Sequence, residues 1–264
     1  MDSEEGSLEE EGPSGIGKVG SGSRNEIESK NMTPETLTQE LRRFFGENLK
    51  AVVLYGSAAR GEYHPRYSDY NLLVLLDHFD LPSFKKTAKV IRAWTKAGNP
   101  PPLLFTWDRL QRSQDVFPIE LLEMKEHHRV LYGENPFKDV EIRSENLRLE
   151  LERELKTNLI KLREHYLLTA DKPKETQELL IKANSAFLVL FRNVLRLWKI
   201  SPLPNRKETP HVLSQHIPID SGVLNSIEKL KLGPSQTLKG GLDSVLEKFF
   251  KLVEQVIDAV DSHS

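Results

Sequence analysis

The stretch LKAVVLYGSAARGEYHPRYSDYNLLVLL, residues 49–76, decides the fold. It opens and closes with apolar runs, Leu49–Tyr55 and Asn71–Leu76. Both are rich in Val and Leu and lack polar alternation, the mark of strands buried on two faces. The first run stops at Gly56-Ser57, and with Ala58, Ala59 and Arg60 behind it the chain can turn straight into a helix. Glycine lets a backbone approach a ligand closely. Exposed N–H groups at a helix start, with the Ser57 hydroxyl, suit phosphate oxygens. Residues 61–68 read as a loop, and Asp69 stands at the entry to the second strand. Residues two apart on a strand share a face, so Asp69 and Asn71 point the same way. Two oxygen donors beside a phosphate cradle form a platform for Mg²⁺. Taken singly, a Gly-Ser after a strand is an ordinary turn and an Asp before a strand an ordinary cap. The order of the whole set carries the reading.

Outward from this stretch, Thr33-Pro34-Glu35 gives an N-cap, a first-position proline and a first-turn acid. Leu37, Leu41, Phe44 and Phe45 then follow at helical spacing. On the other side come a helix over residues 83–96, a break at Gly98-Asn99 and three prolines, and a third strand at residues 103–107. Residues 108–132 hold a helix restarted at Pro118, then a short apolar piece, RVLY, ended by Gly133. From Glu145 the texture is helical. Leu147, Leu151, Leu155, Leu159 and Leu162 recur every three or four residues, and long patterns follow over residues 179–198 and 242–260. The proline-bearing residues 201–220 read as loop, with short helical stretches around Leu224–Leu230.

Strands followed by a run of helices predict an α/β (α+β) fold, a mixed sheet with flanking helices, and then an all-helical bundle. The expected organisation is an acidic tail at residues 1–31, disordered for want of large apolar residues, a first domain over residues 32–140 and a helical domain over residues 144–264. The 264 residues carry a net charge of -2, which argues against holding nucleic acid by bulk positive charge. There are no cysteines, which excludes disulfides, thiolate metal sites and thiol catalysis. A reducing cytoplasm fits that composition. No apolar run reaches the ~18 residues of a membrane helix, and the N-terminus has no secretory signal pattern.

The ordered set (apolar strand, G-S-x-A-R-G, a short loop, S-D-x-N, apolar strand) resembles the nucleotidyltransferase superfamily of polymerase-β type. Its signature is G-S-x-A-x-G followed by S-D-h-D. The resemblance implies that Gly56 and Ser57, with Arg60 behind them, lie against a nucleoside triphosphate. It also implies that Asp69 and residue 71 bind Mg²⁺. Here residue 71 is Asn71, which offers a neutral carbonyl oxygen in place of a carboxylate. A weakened Mg²⁺ site is therefore expected.

The family also uses a third carboxylate, on a following strand, to activate the attacking hydroxyl. Residues 103–107 contain no acid, leaving Asp108, read as a helix cap, and Glu120, which either starts a helix after Pro118 or reaches the site. The chain as a whole looks like a bacterial group of nucleotidyltransferase-like proteins in which S-D-x-N is usual. The implied activity is transfer of a nucleotidyl group from a nucleoside triphosphate to a hydroxyl on a small molecule or protein. The alternative is a catalytically degenerate module, a pseudoenzyme that binds nucleotide or a partner, antitoxin-like.

Other signals have plainer readings. His127-His128 with Glu123 marks an exposed helix end, as no H-E-x-x-H is present. Arg206 and His211 match an R-x4-H ribonuclease spacing, but Pro210 breaks it. Arg192 and Arg196, one turn apart, either face the nucleotide phosphates or lie at the surface with snorkelling side chains, and the surface is the expectation. The charges of residues 145–168 form a solvated face, and Trp198, Phe249 and Phe250 belong to the core.

Overall fold

The computed structural model describes residues 32–61, 69–200, 207–231 and 241–263. The acidic tail, most of the loop before Asp69 and Arg206 lie outside the described residues. Helix α1 spans Pro34–Phe45, with Pro34 in its first turn and the Thr33 hydroxyl accepting the Thr36 N–H at 3.2 Å. The sequence-predicted cap is thus made. A short 3₁₀ turn leads to β1, Leu49–Tyr55, and after the motif comes β2, Asn71–Leu76. Helix α2, Leu81–Lys96, crosses to β3, Leu103–Thr106. The short α3, Trp107–Gln111, and α4, Pro118–Glu126, precede β4, His128–Gly133.

Strand order in the sheet is β3-β2-β1-β4, with β1 antiparallel to β2 and β4, and β2 parallel to β3. The piece read only as RVLY is therefore a strand, and it pairs with the far edge of β1. Alternation explains why β1 and β2 are apolar throughout. Val52, Leu54, Leu72, Val74 and Leu76 pack against Leu37, Leu41, Val90 and Trp94 of α1 and α2. Ala51, Val53, Leu73 and Leu75 face the opposite way, against Leu110, Leu121, Met124 and Phe137. Each such side chain taken out of water contributes about 1.5–3 kcal/mol. The second face is the one covered by α4.

The remaining helices are α5 (Ser144–Thr169), α6 (Pro173–Leu197), α7 (Thr209–Ser214), α8 (Gly222–Lys229) and α9 (Gly241–Asp261). Their core is built from Leu151, Leu155, Phe187, Phe191, Val194 and Phe249, so the leucine periodicity and Phe249 are core as read. Residues 201–206 of the stretch read as loop lie outside the described residues, and α7 corrects that reading at Thr209–Ser214, because Pro210 sits in its first turn, where a missing N–H costs nothing. Ile119 of α4 belongs to this helical core, while Leu121 and Met124 of the same helix belong to the sheet core. Helix α4 is thus the shared wall between the sheet and the helices. No helix among the described residues is long and apolar enough to cross a membrane.

Candidate active site

The site begins where β1 ends. Gly56 has φ +81°, the left-handed region that glycine enters without strain. Its carbonyl accepts the N–H groups of Ala59 at 3.1 Å and Arg60 at 3.2 Å, and Gly61 N–H reaches Ala58 O at 3.4 Å. Over the described residues this is a tight hydrogen-bonded turn and not the helix the sequence suggested. No hydrogen bond from the Ser57 or Ala58 amide is found among the described residues. A left-handed residue followed by free amides forms a concavity suited to an anion.

Asn71 opens β2 directly across from Tyr55, the last residue of β1. A Cβ placed on Gly56 would stand 3.3 Å from the Asn71 side-chain nitrogen, so the amide lies against the turn. Asp69 is exposed and precedes β2. Two contacts fix its approach that the sequence did not reveal. Tyr70 N–H donates to Asn99 Oδ1 at 3.0 Å, and the ring of Tyr70 packs 6.3 Å from that of Trp94, on the α1/α2 face. With Tyr70 on that face, alternation turns Asp69 to the face of Asn71 and Tyr55. Asn99 follows the Gly98 break, which the sequence marks only as a helix end.

The candidates for a third acid separate. Asp108 follows β3, whose last residue, Thr106, pairs with Leu76 at the far end of β2. At about 3.3 Å per residue, that is roughly 15 Å from the start of the strand. Asp108 is exposed and bound to Arg112 at 2.9 Å, and the cap of α3 is the Thr106 hydroxyl, so the cap reading of Asp108 is corrected. Glu120, in the first turn of α4, is close enough to Tyr55 for its charge to act there. Burial, and then the negative charge of Glu120, push the Tyr55 phenol above its ordinary value. Glu120 thus belongs to the helix that covers the face shared by Tyr55 and Asn71.

Arg60 turns back to Glu123 of α4, 3.6 Å away. The same carboxylate accepts from Arg192 at 3.1 Å, Arg196 at 2.6 Å and Asn193 at 3.2 Å. Glu126 pairs with both arginines, and Arg192 donates to His127 Nε2 at 3.1 Å. The surface reading of Arg192 and Arg196 is therefore corrected, since the Arg192 side chain is 4% exposed. The exposed-end reading of His127 and Glu123 is corrected with it. Among the described residues no group of three or more His, Asp or Glu could hold a metal ion. One carboxylate and one carboxamide can serve a single cation that also takes phosphate oxygens.

Residues 35–143 match the nucleotidyltransferase domain family. Over those residues the chain is thus similar to the nucleotidyltransferase superfamily. A spectinomycin adenyltransferase, AAD(9), from Enterococcus faecialis, solved with ATP and spectinomycin, is 10% identical with a TM-score of 0.52. The match covers 84% of this chain and 98% of that one, so the fold extends through the helices as well as the sheet. A toxin–antitoxin structure with AMP-PNP is 22% identical over 38% of this chain and 74% of that one, with a TM-score of 0.27. Among curated proteins no match was found.

Proposed function

We propose that the chain transfers a nucleotidyl group from a nucleoside triphosphate to a hydroxyl of a small molecule or protein. Residues 32–140 would act as the nucleotidyltransferase domain and residues 144–264 as a helical domain closing over it. The observation that carries this reading is the juxtaposition of the Gly56-Ser57 turn with Asn71 at the paired ends of β1 and β2. Asp69 lies on the same side, and Glu120 acts on their common face.

In this reading the Ser57 and Ala58 amides and the Ser57 hydroxyl bind phosphate oxygens, and Arg60 stands behind them. Mg²⁺, if bound, sits on Asp69 and the Asn71 carbonyl oxygen and neutralises phosphate charge. The acceptor oxygen attacks the α-phosphorus in line and forms a new P–O bond. The bond from the α-phosphorus to the bridging oxygen breaks, pyrophosphate leaves, and Glu120 takes the hydroxyl proton. A fold match that covers 98% of an adenyltransferase solved with ATP and spectinomycin supports a small-molecule acceptor.

A second reading, a degenerate nucleotide-binding or partner-binding module, rests on Asn71 where the family has a second carboxylate. The experiment is transfer of label from [α-³²P]ATP, GTP, CTP and UTP to a panel of hydroxylated small molecules and proteins, with Mg²⁺ or Mn²⁺. Labelled product that disappears in Asp69→Asn supports transfer. Tight nucleotide binding with no product in any combination favours the second reading.

A further inference from the structure

Side chains from two other parts of the fold converge on Glu123 of α4. Arg192, Asn193 and Arg196 come from α6, at 3.1, 3.2 and 2.6 Å. Arg60 comes from the turn after β1, with Nη1 3.6 Å from Glu123 Oε2. The backbone N–H of the same Arg60 closes that turn on the Gly56 carbonyl at 3.2 Å, and the Ala59 N–H shares the acceptor at 3.1 Å. A continuous line of contacts therefore runs from α6 through Glu123 and the Arg60 side chain to the backbone of the turn. Its members differ in strength. The three α6 contacts are within hydrogen-bond reach, whereas that of Arg60 is an ion pair just beyond it. The Arg60 and Glu123 side chains are 15% and 18% exposed, so water and salt screen this pair only weakly.

We propose that Glu123 is a positioning residue for the Gly56-Ser57 turn: anchored by the α6 arginines, it holds the Arg60 guanidinium and so fixes the backbone that presents the Ser57 and Ala58 amides. The proposal rests on the reading of that turn as the phosphate site. A concavity whose amides are already aligned binds an anion without the cost of ordering them. When Arg60 loses its anchor the turn frays, and nucleotide affinity falls although Glu123 itself acts only through Arg60. The distances also say which contact fails first. Glu123→Asp draws the carboxylate back by one carbon–carbon bond, about 1.5 Å. The contact with Arg60, already the longest of the set, is lost first, while a carboxylate still faces Arg192 and Arg196.

The test is a double-mutant cycle on the full chain: wild type, Glu123→Asp, Arg60→Met and the two combined. Two quantities are read: ATP affinity by calorimetry with Mg²⁺, and hydrogen exchange of the backbone amides of residues 59 and 60 by NMR without nucleotide. With Arg60 present, Glu123→Asp is expected to weaken ATP binding about fivefold and to speed exchange of both amides about fivefold, the scale of one lost polar contact. In the Arg60→Met background the same substitution changes neither, because the anchor is already gone. Equal losses in both backgrounds would overturn the proposal, since Glu123 would then act by holding the helices together and not through Arg60. No loss in either background would overturn it as well. Should either variant fail to fold, Glu123→Gln and Arg60→Gln take their places in the cycle under the same criteria. If the amides follow the cycle as stated while wild type binds no ATP, it is the phosphate reading that fails and not the positioning of the turn.

Discussion

Gly56 and Asn71 meet at the point where β1 hands over to the Gly56-Ser57 turn, and their contact constrains both. A side chain at position 56 must adopt φ near +81° and place its Cβ 3.3 Å from the Asn71 amide. For a β-branched residue that conformation costs about 1–3 kcal/mol, and the branch fills the space that a phosphate would use. Gly56→Val is expected to bind ATP at least about tenfold more weakly, checked by calorimetry at a temperature where both proteins are folded. Asn71→Asp is expected to act in the opposite direction. It adds a charged oxygen on the face of Asp69, and charge count tunes affinity for hard cations. Mg²⁺-dependent nucleotide binding should tighten by about tenfold, while Asp69→Asn should weaken it. If neither substitution moves Mg²⁺ affinity, the pair is not a cation site. That Asn71 lies beside the Gly56 turn was legible because local order and spacing define it. Asn99, which holds the Tyr70 backbone, was not, because its contact spans 29 residues of sequence.

At the scale of elements, β4 shows what periodicity misses. RVLY is too short to show a strand period, and its identity comes from pairing with β1. Gly133 ends the pairing opposite Ala51 with φ +76°, and a Cβ there would stand 1.8 Å from the Lys50 carbonyl oxygen. No rotamer relieves a clash with backbone, so the strand end would have to move. Gly133→Ala is expected to destabilise the protein by at least about 2 kcal/mol, read from the midpoint of urea unfolding. Glu150, buried on α5, makes a pH prediction of opposite sign to the usual acidic residue. The Glu150 carboxyl is raised in the folded state to about 7. Its contribution to stability is full below the ordinary carboxyl value and is lost as pH rises through 7. Glu150→Gln cannot lose that contribution. The difference in Tm between Glu150→Gln and wild type should therefore grow from pH 4.5 to about 8 and then level off. A constant difference across that range would mean that Glu150 is ionised throughout.

Across the whole molecule, the sheet and the helices are joined by charge as well as by apolar packing. The spacing of Arg192 and Arg196 showed that they share one face of α6, but not what that face meets. Their partners, Glu123 and Glu126, lie some seventy residues earlier on α4, and no local pattern links the two segments. The general rule that arginine stays at the surface fails here because the guanidinium groups are buried together with their counter-charges. Through Glu123 the same cluster reaches Arg60, so the Gly56-Ser57 turn is tied to the helical part. Removing one buried partner costs far more than the pair contributes, since the remaining charge is left uncompensated. Arg192→Met keeps most of the volume and leaves Glu123 and Glu126 with fewer donors. It is expected to lower stability by about 3–5 kcal/mol and to separate the unfolding of the helices from that of the sheet. Urea unfolding followed at once by far-ultraviolet circular dichroism and by fluorescence should then give two midpoints where wild type gives one. Adding Glu126→Leu to Arg192→Met removes one of the stranded carboxylates and should recover part of the loss. If Arg192→Met unfolds in a single transition within about 1 kcal/mol of wild type, far below the cost of stranding a buried charge, the junction is held by Ile119 and its apolar neighbours. The arginines would then be guests at an interface that the helical core had already made.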